Sequence, residues 1–91
     1  MKLLRPLSNG KITGSENYTL RDGYFGGVLI STDGANLVTV TVTDAPGSKI
    51  FELITPTPGF VIAPLMTPTN YVTCAVSGAN GYAQFYEWVN A

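Results

Sequence analysis

Histidine is missing altogether from this chain of 91 residues, which removes the commonest general base and the commonest transition-metal ligand. Cysteine occurs once, at Cys74. Neither a Cys/His nucleophile nor a structural zinc site can be assembled from it, and no intrachain disulfide can staple the fold. Charge is scarce: 12% of the residues are charged, about half the share of an ordinary soluble domain. The formal net charge is −1. Phosphate binding needs a clear surplus of Lys and Arg, so nucleic acid is not an expected partner. Long apolar runs are lacking too. The longest, Phe60 to Met66, is interrupted by Pro64 and falls far short of the roughly 18 residues of a membrane span. Met1-Lys2-Leu3-Leu4-Arg5-Pro6 leads into Ser8-Asn9-Gly10-Lys11 rather than the apolar stretch of a signal peptide. A soluble protein made in the cytoplasm is expected, one in which the sequon Asn17-Tyr18-Thr19 is an accident of composition.

The acids stand singly, as Glu16, Asp22, Asp33, Asp44, Glu52 and Glu87. All but Glu52 and Glu87 lie in or beside an expected turn, where short polar side chains serve turn geometry rather than a paired-carboxylate mechanism. No stretch has the acid density of a dedicated calcium loop. Gly23-Tyr24-Phe25-Gly26-Gly27 precedes a strand and not a helix, so it is read as a bulge or a close backbone approach instead of a phosphate cradle. No enzyme, cofactor or metal is expected. Lys2, Arg5 and Lys11 all precede the first acid, Glu16. This makes the amino end locally basic, either simply solvated or a contact for an acidic partner.

What the chain does have is short runs of Val, Ile, Thr, Tyr and Phe between Gly and Pro turn signals, without the i, i+3, i+4, i+7 spacing of an amphipathic helix. These predict a single all-β domain over residues 1–91. Six to eight short strands are expected, arranged as an antiparallel β-sandwich or a jelly-roll-like barrel. Residues 1–10 are open to reading as an extended amino-terminal arm. Leu3-Leu4-Arg5, Lys11-Ile12-Thr13 and Asn17 to Leu20 are weaker strand candidates. Two hairpins are predicted. The first joins Val28–Thr32 to Leu37–Thr43 through Asp33-Gly34. Alternation sends Val38, Val40 and Val42 to the core and, for an even loop, Leu29 with them. The turn at Ala45-Pro46-Gly47-Ser48 leads to a strand over Lys49–Ile54. Phe60–Ala63 follows, with an edge or a bend at Pro64, and the chain turns again over Thr67–Asn70. The second hairpin joins Tyr71–Ser77 to Tyr82–Val89 across Gly78-Ala79-Asn80-Gly81. It places Val72, Cys74, Val76, Ala83, Phe85 and Val89 on one face, with Glu87 among them needing water or a partner such as a Lys. Cys74 is then a small buried apolar residue.

The other face of that hairpin gathers Tyr71, Tyr82, Tyr86 and Trp88, with Trp88 in cross-strand reach of Tyr71 or Thr73. It is either packed inside the monomer or a contact surface, since Tyr and Trp are enriched at contact hot spots. These four, with Lys2 and Arg5, are the candidate interface.

Gly26-Gly27-Val28-Leu29-Ile30-Ser31-Thr32-Asp33-Gly34-Ala35-Asn36, followed by Val38-Thr39-Val40-Thr41-Val42-Thr43-Asp44, resembles small stand-alone virion proteins of tailed bacteriophages. In these compact β-proteins a "G-V-L-I-x-T-D-G" strand and turn lead into an alternating Val/Thr strand, and the chain ends in a Tyr-rich strand like Gln84-Phe85-Tyr86-Glu87-Trp88. The likeness covers about two-thirds of the chain and brings no catalytic motif. It implies a head decoration or cement protein that binds the phage major capsid protein on the outer capsid surface, as a trimer, and so resides in the virion. A tail-associated virion component fits the same features. A carbohydrate- or receptor-binding module stacking sugars on Tyr82, Tyr86 and Trp88 is the alternative of another class. It would need flanking polar groups, of which Gln84 and Thr73 are the obvious ones. A small enzyme inhibitor would be expected to carry a dense charge patch, and none is present.

Overall fold

Punctuated β-branched runs form strands here because each can bury one face of a pleat while its turns accommodate Gly, Pro and Asp. The computed structural model describes residues 2–7, 10–44, 46–63 and 70–90. These residues contain eight strands: β1 (Lys2–Pro6), β2 (Gly14–Thr19), β3 (Tyr24–Ser31), β4 (Val38–Asp44), β5 (Lys49–Thr55), β6 (Gly59–Ile62), β7 (Tyr71–Ser77) and β8 (Tyr82–Asn90). Sheet I has the order β1-β8-β3-β6 and sheet II the order β2-β7-β4-β5, with every pairing antiparallel. The pairs β4–β5, β3–β6, β2–β7 and β1–β8 nest one inside the next and alternate between the sheets, while β8–β3 and β7–β4 join them side by side. This is the connectivity of a jelly roll, one long hairpin wrapped into two Greek keys. The radius of gyration, 12.3 Å, matches the roughly 12 Å of a compact chain this long.

Two expected hairpins are corrected by this topology. β3 belongs to sheet I and β4 to sheet II, so the Asp33-Gly34 segment crosses between sheets instead of turning within one. β7 and β8 are likewise in different sheets, and Gly78–Gly81 is a corner. Of the consecutive strands, only β4 and β5 share a sheet. Of the turn expected between them, Ala45 lies outside the described residues; in the rest the Ser48 N–H donates to Asp44 Oδ1 at 2.8 Å and the Gly47 N–H to the Asp44 carbonyl at 3.0 Å. Lys2–Pro6, which the sequence left open as an arm, pairs residue for residue with β8. Lys11-Ile12-Thr13 forms no strand, only an isolated bridge from Ile12 to Ala83. β6 is an edge strand. Pro64 itself and residues 67–69 of the next expected turn lie outside the described residues.

The core lies between the inner faces. Val38, Val40, Val42, Val72, Cys74, Ala83 and Phe85 are fully buried, and Val76 and Val89 nearly so. Phe25 packs against Phe51 and Phe85, with ring centroids 5.6 and 6.3 Å away. The partner of Val38 and Val40 from β3 is not Leu29, which is only half-buried, but Val28 and Ile30. The parity rule that set Leu29 inward holds for a hairpin and lapses for a crossing. Burial pushes the Cys74 thiol up to about 12, leaving it protonated and unreactive at neutral pH.

The two corners at one end of the sandwich are tied together by Asp33. Its carboxylate accepts from the N–H groups of Ala35 and Asn36, from Asn36 Nδ2, and from Asn80 Nδ2 on the neighbouring corner at 2.9 Å. Asn80 sits at φ 59°, which an Asx side chain tolerates better than most. Gly78 is required there because a Cβ would collide with the Leu37 carbonyl oxygen.

Candidate functional site

Strand alternation gives each sheet an outer face, and the two outer faces differ in kind. On sheet II the paired outward residues are Thr39 with Ser77, Thr41 with Ala75, and Thr43 with Thr73. Thr73 Oγ1 donates to Asn17 Oδ1 at 2.7 Å. Lys49 and Glu52 form an exposed ion pair at 3.1 Å, worth at most about 1 kcal/mol. This face is mainly hydroxyl-bearing, its exposed large apolar residues being Ile54 on the edge strand β5 and Tyr71 at the start of β7.

Sheet I is apolar on both sides. Along β8, the outward residues Tyr82, Tyr86 and Trp88 alternate with buried Ala83, Phe85 and Glu87. The register brings Leu4 of β1 and Tyr24 of β3 to either side of Trp88, and Pro6 and Gly27 to either side of Tyr86. Beyond β3, Phe60 and Ile62 of β6 oppose Leu29 and Gly27. Phe60 and Ile62 are 43% and 58% exposed and Tyr82 is 46% exposed, so the outer face is a continuous apolar surface rather than isolated side chains.

Two glycines shape the face. The register of β3 slips between Phe25 and Gly27, the bulge that the Gly-rich segment predicted. A Cβ on Gly27 would strike the Val61 carbonyl oxygen, at φ +155°. A Cβ on Gly26 would lie 2.6 Å from Leu4 Cδ2 and 2.9 Å from the Glu87 backbone carbon, so its absence lets Leu4 lie down beside Trp88. With no side chain on Gly27, the rings of Phe60 and Tyr86 meet across β3, centroids 5.0 Å apart and tilted by 57°. Tyr86 Oη donates to Gln84 Oε1 at 3.3 Å. Trp88 Nε1 is buried without a hydrogen-bond partner among the described residues.

Of the candidate residues, Tyr82, Tyr86 and Trp88 come together as expected. Tyr71 does not join them. It lies on sheet II beside Thr19, which also removes the expected reach of Trp88 to Tyr71 or Thr73. Lys2 belongs to the face, with its Nζ 4.6 Å from the centroid of the Tyr24 ring and donating to Asn90 Oδ1 at 2.9 Å. Arg5 is paired with Glu87, on the opposite side of β1 from Lys2, because an odd spacing separates two residues of a strand onto different faces. Glu87 is 3% exposed. Among the described residues its carboxylate finds a partner in the Arg21 N–H, which donates to Oε1 at 2.7 Å. Asp22 in turn accepts from the Asn90 N–H at 2.6 Å, so the β2–β3 crossing is held to β8 by a carboxylate from each side.

Sequence reading missed Tyr24, Phe60, Ile62 and Leu4. The signal was present in Phe60-Val61-Ile62-Ala63, whose unbroken apolar run marks a strand apolar on both faces. Among the described residues, no three His, Cys, Asp or Glu side chains gather as metal ligands would, and no helix is long and apolar enough to cross a membrane. Comparison with family models, curated proteins and solved structures finds no match, so the outer face of sheet I is read from its own chemistry.

Proposed function

We propose that the chain is a non-enzymatic structural protein of a bacteriophage virion, a decoration protein that binds the outer surface of the head through sheet I and stabilises it. The observation that carries this reading is the contrast between the two outer faces, mainly hydroxyl-bearing on sheet II apart from Ile54 and Tyr71, and aromatic and aliphatic across all four strands of sheet I. An aromatic, charge-depleted patch is the composition of an interface core. The jelly-roll topology is found both in viral shells and in sugar-binding domains, and a fold alone does not choose between functions. The sugar-binding alternative is disfavoured by one placement: Thr73 lies on the other sheet, leaving Gln84 as the polar neighbour of Tyr86 from the pair that reading needs.

Light scattering behind a sizing column should give the mass of a trimer, and the protein should co-sediment saturably with phage heads that lack it. Phe60→Ser and Ile62→Ser replace exposed side chains, so both variants should melt like the wild type yet bind heads at least tenfold more weakly. Ile54→Ser on sheet II should bind normally. A monomer that ignores heads but sediments with tails would move the protein to the tail, and binding that survives both sheet I variants would put the contact elsewhere.

A further inference from the structure

Among the described residues, the outer face of sheet I carries cations and no acidic side chain. Its outward residues include Lys2 on β1, and Lys11 reaches it from the β1–β2 connection, its Nζ donating to Ser31 Oγ at 2.7 Å. Ser31 is the outward partner of Tyr82 at one end of β3, and Tyr24, beneath Lys2, is at the other. β3 has eight residues, so the two ammonium groups bracket the aromatic surface at a separation of about 20 Å. Asp22, on the β2–β3 crossing, is turned to the backbone amide of Asn90.

Resting on the reading of this face as a contact surface, we infer that its partner is a protein surface of apolar side chains bordered by carboxylates, which meet Lys2 and Lys11. A second copy of the chain does not fit. Face-to-face pairing would set ammonium against ammonium at both ends of the face, with no acidic side chain among the described residues of the face to separate them. Four strands about 4.8 Å apart and some 20 to 25 Å long give a face of about 400 Å², half of the roughly 800 Å² that each partner of a stable pair buries. A larger partner reaches past the apolar centre to both cations. An anionic membrane is disfavoured because the Phe60 and Tyr86 rings pack against each other across β3 rather than standing apart as separate anchors. Two lysines are also fewer than the clusters that hold proteins to acidic lipid.

The probe is a soluble amphipathic peptide of Leu and Glu, titrated into the labelled full chain and followed by amide and indole NMR shifts. Shifts centred on Lys2, Tyr24, Tyr86 and the Trp88 indole, weakening as salt rises, are expected. Lys2→Glu with Lys11→Glu should weaken binding at least tenfold, and Lys49→Glu on sheet II should leave it unchanged. Absent shifts, shifts elsewhere, or an unaffected double variant overturn the inference. So does binding to phosphatidylglycerol vesicles in place of the peptide. Co-sedimentation with heads separates the two claims: heads that bind the double variant as well as the wild type sink the carboxylate partner and leave the decoration reading standing.

Discussion

Trp88 brings a large ring to the outer face of sheet I and buries an indole N–H with no acceptor among the described residues. An unmet buried donor costs about 1–3 kcal/mol, so the ring and its nitrogen act in opposite directions on stability. Trp88→Phe should therefore melt within about 1 kcal/mol of the wild type, the lost area being offset by the lost penalty. Trp88→Ala should cost about 2–3 kcal/mol and weaken head binding as well. Chemical denaturation of the two variants checks this, and a Phe variant as unstable as the Ala variant would mean that the indole N–H is satisfied in solution. Asp33 is the residue that ties the corners. Hydrogen bonds from the Asn36 amide first, then from Asn80, Ala35 and the Asn36 side chain, hold its carboxyl well below the usual carboxylate range. A group whose folded pKa is depressed contributes stability above its unfolded value, near 4, and that contribution is lost as pH falls through that value toward the folded one. The unfolding midpoint of the wild type should thus drop between pH 6 and about pH 3 by more than that of Asp33→Asn. Equal drops would show that the corner clasp is not what titrates.

At the scale of strands, alternation made the inward residues legible and left pairing hidden. Val72, Cys74, Val76, Ala83 and Phe85 were assigned to one buried surface and are buried, although β7 and β8 never pair. The assignment survives because a corner, like a hairpin, leaves both strands facing the same interior. Asp33-Gly34 and Gly78–Gly81 carry the residues that either kind of turn demands, and nothing local says whether the next strand returns beside the last or crosses above it. The price of that ambiguity was Tyr71, placed with Trp88 by a pairing that does not exist. The bulge at Gly27 was legible from its glycines, and its role in letting Phe60 reach Tyr86 was not. Gly27→Ala should press a methyl group onto the Val61 carbonyl and loosen the β3–β6 edge. Hydrogen exchange should quicken in β6 well before it does in β4 or β7, and uniform quickening would contradict this placement.

For the whole molecule, stability rests on one interior shared by two sheets, with no disulfide or dedicated metal cluster evident among the described residues. Val40 is fully buried in it. Val40→Asp should prevent folding, since an unpaired buried charge costs more than a small domain has in reserve. A soluble, cooperatively melting Val40→Asp protein would refute the inward assignment of β4. The nesting of strand pairs has a consequence for synthesis. β8 is translated last among the eight strands, yet it lies at the centre of sheet I, between β1 and β3. While it is still inside the ribosome, the earlier strands of that sheet have no shared neighbour, and Tyr82, Tyr86 and Trp88 have not emerged. Completion of sheet I must then await β8 and proceed through contacts distant in sequence, which makes it slow. A polypeptide that has not yet released β8 consequently cannot display the aromatic face of sheet I, so every contact made by that face must come after this strand is synthesised.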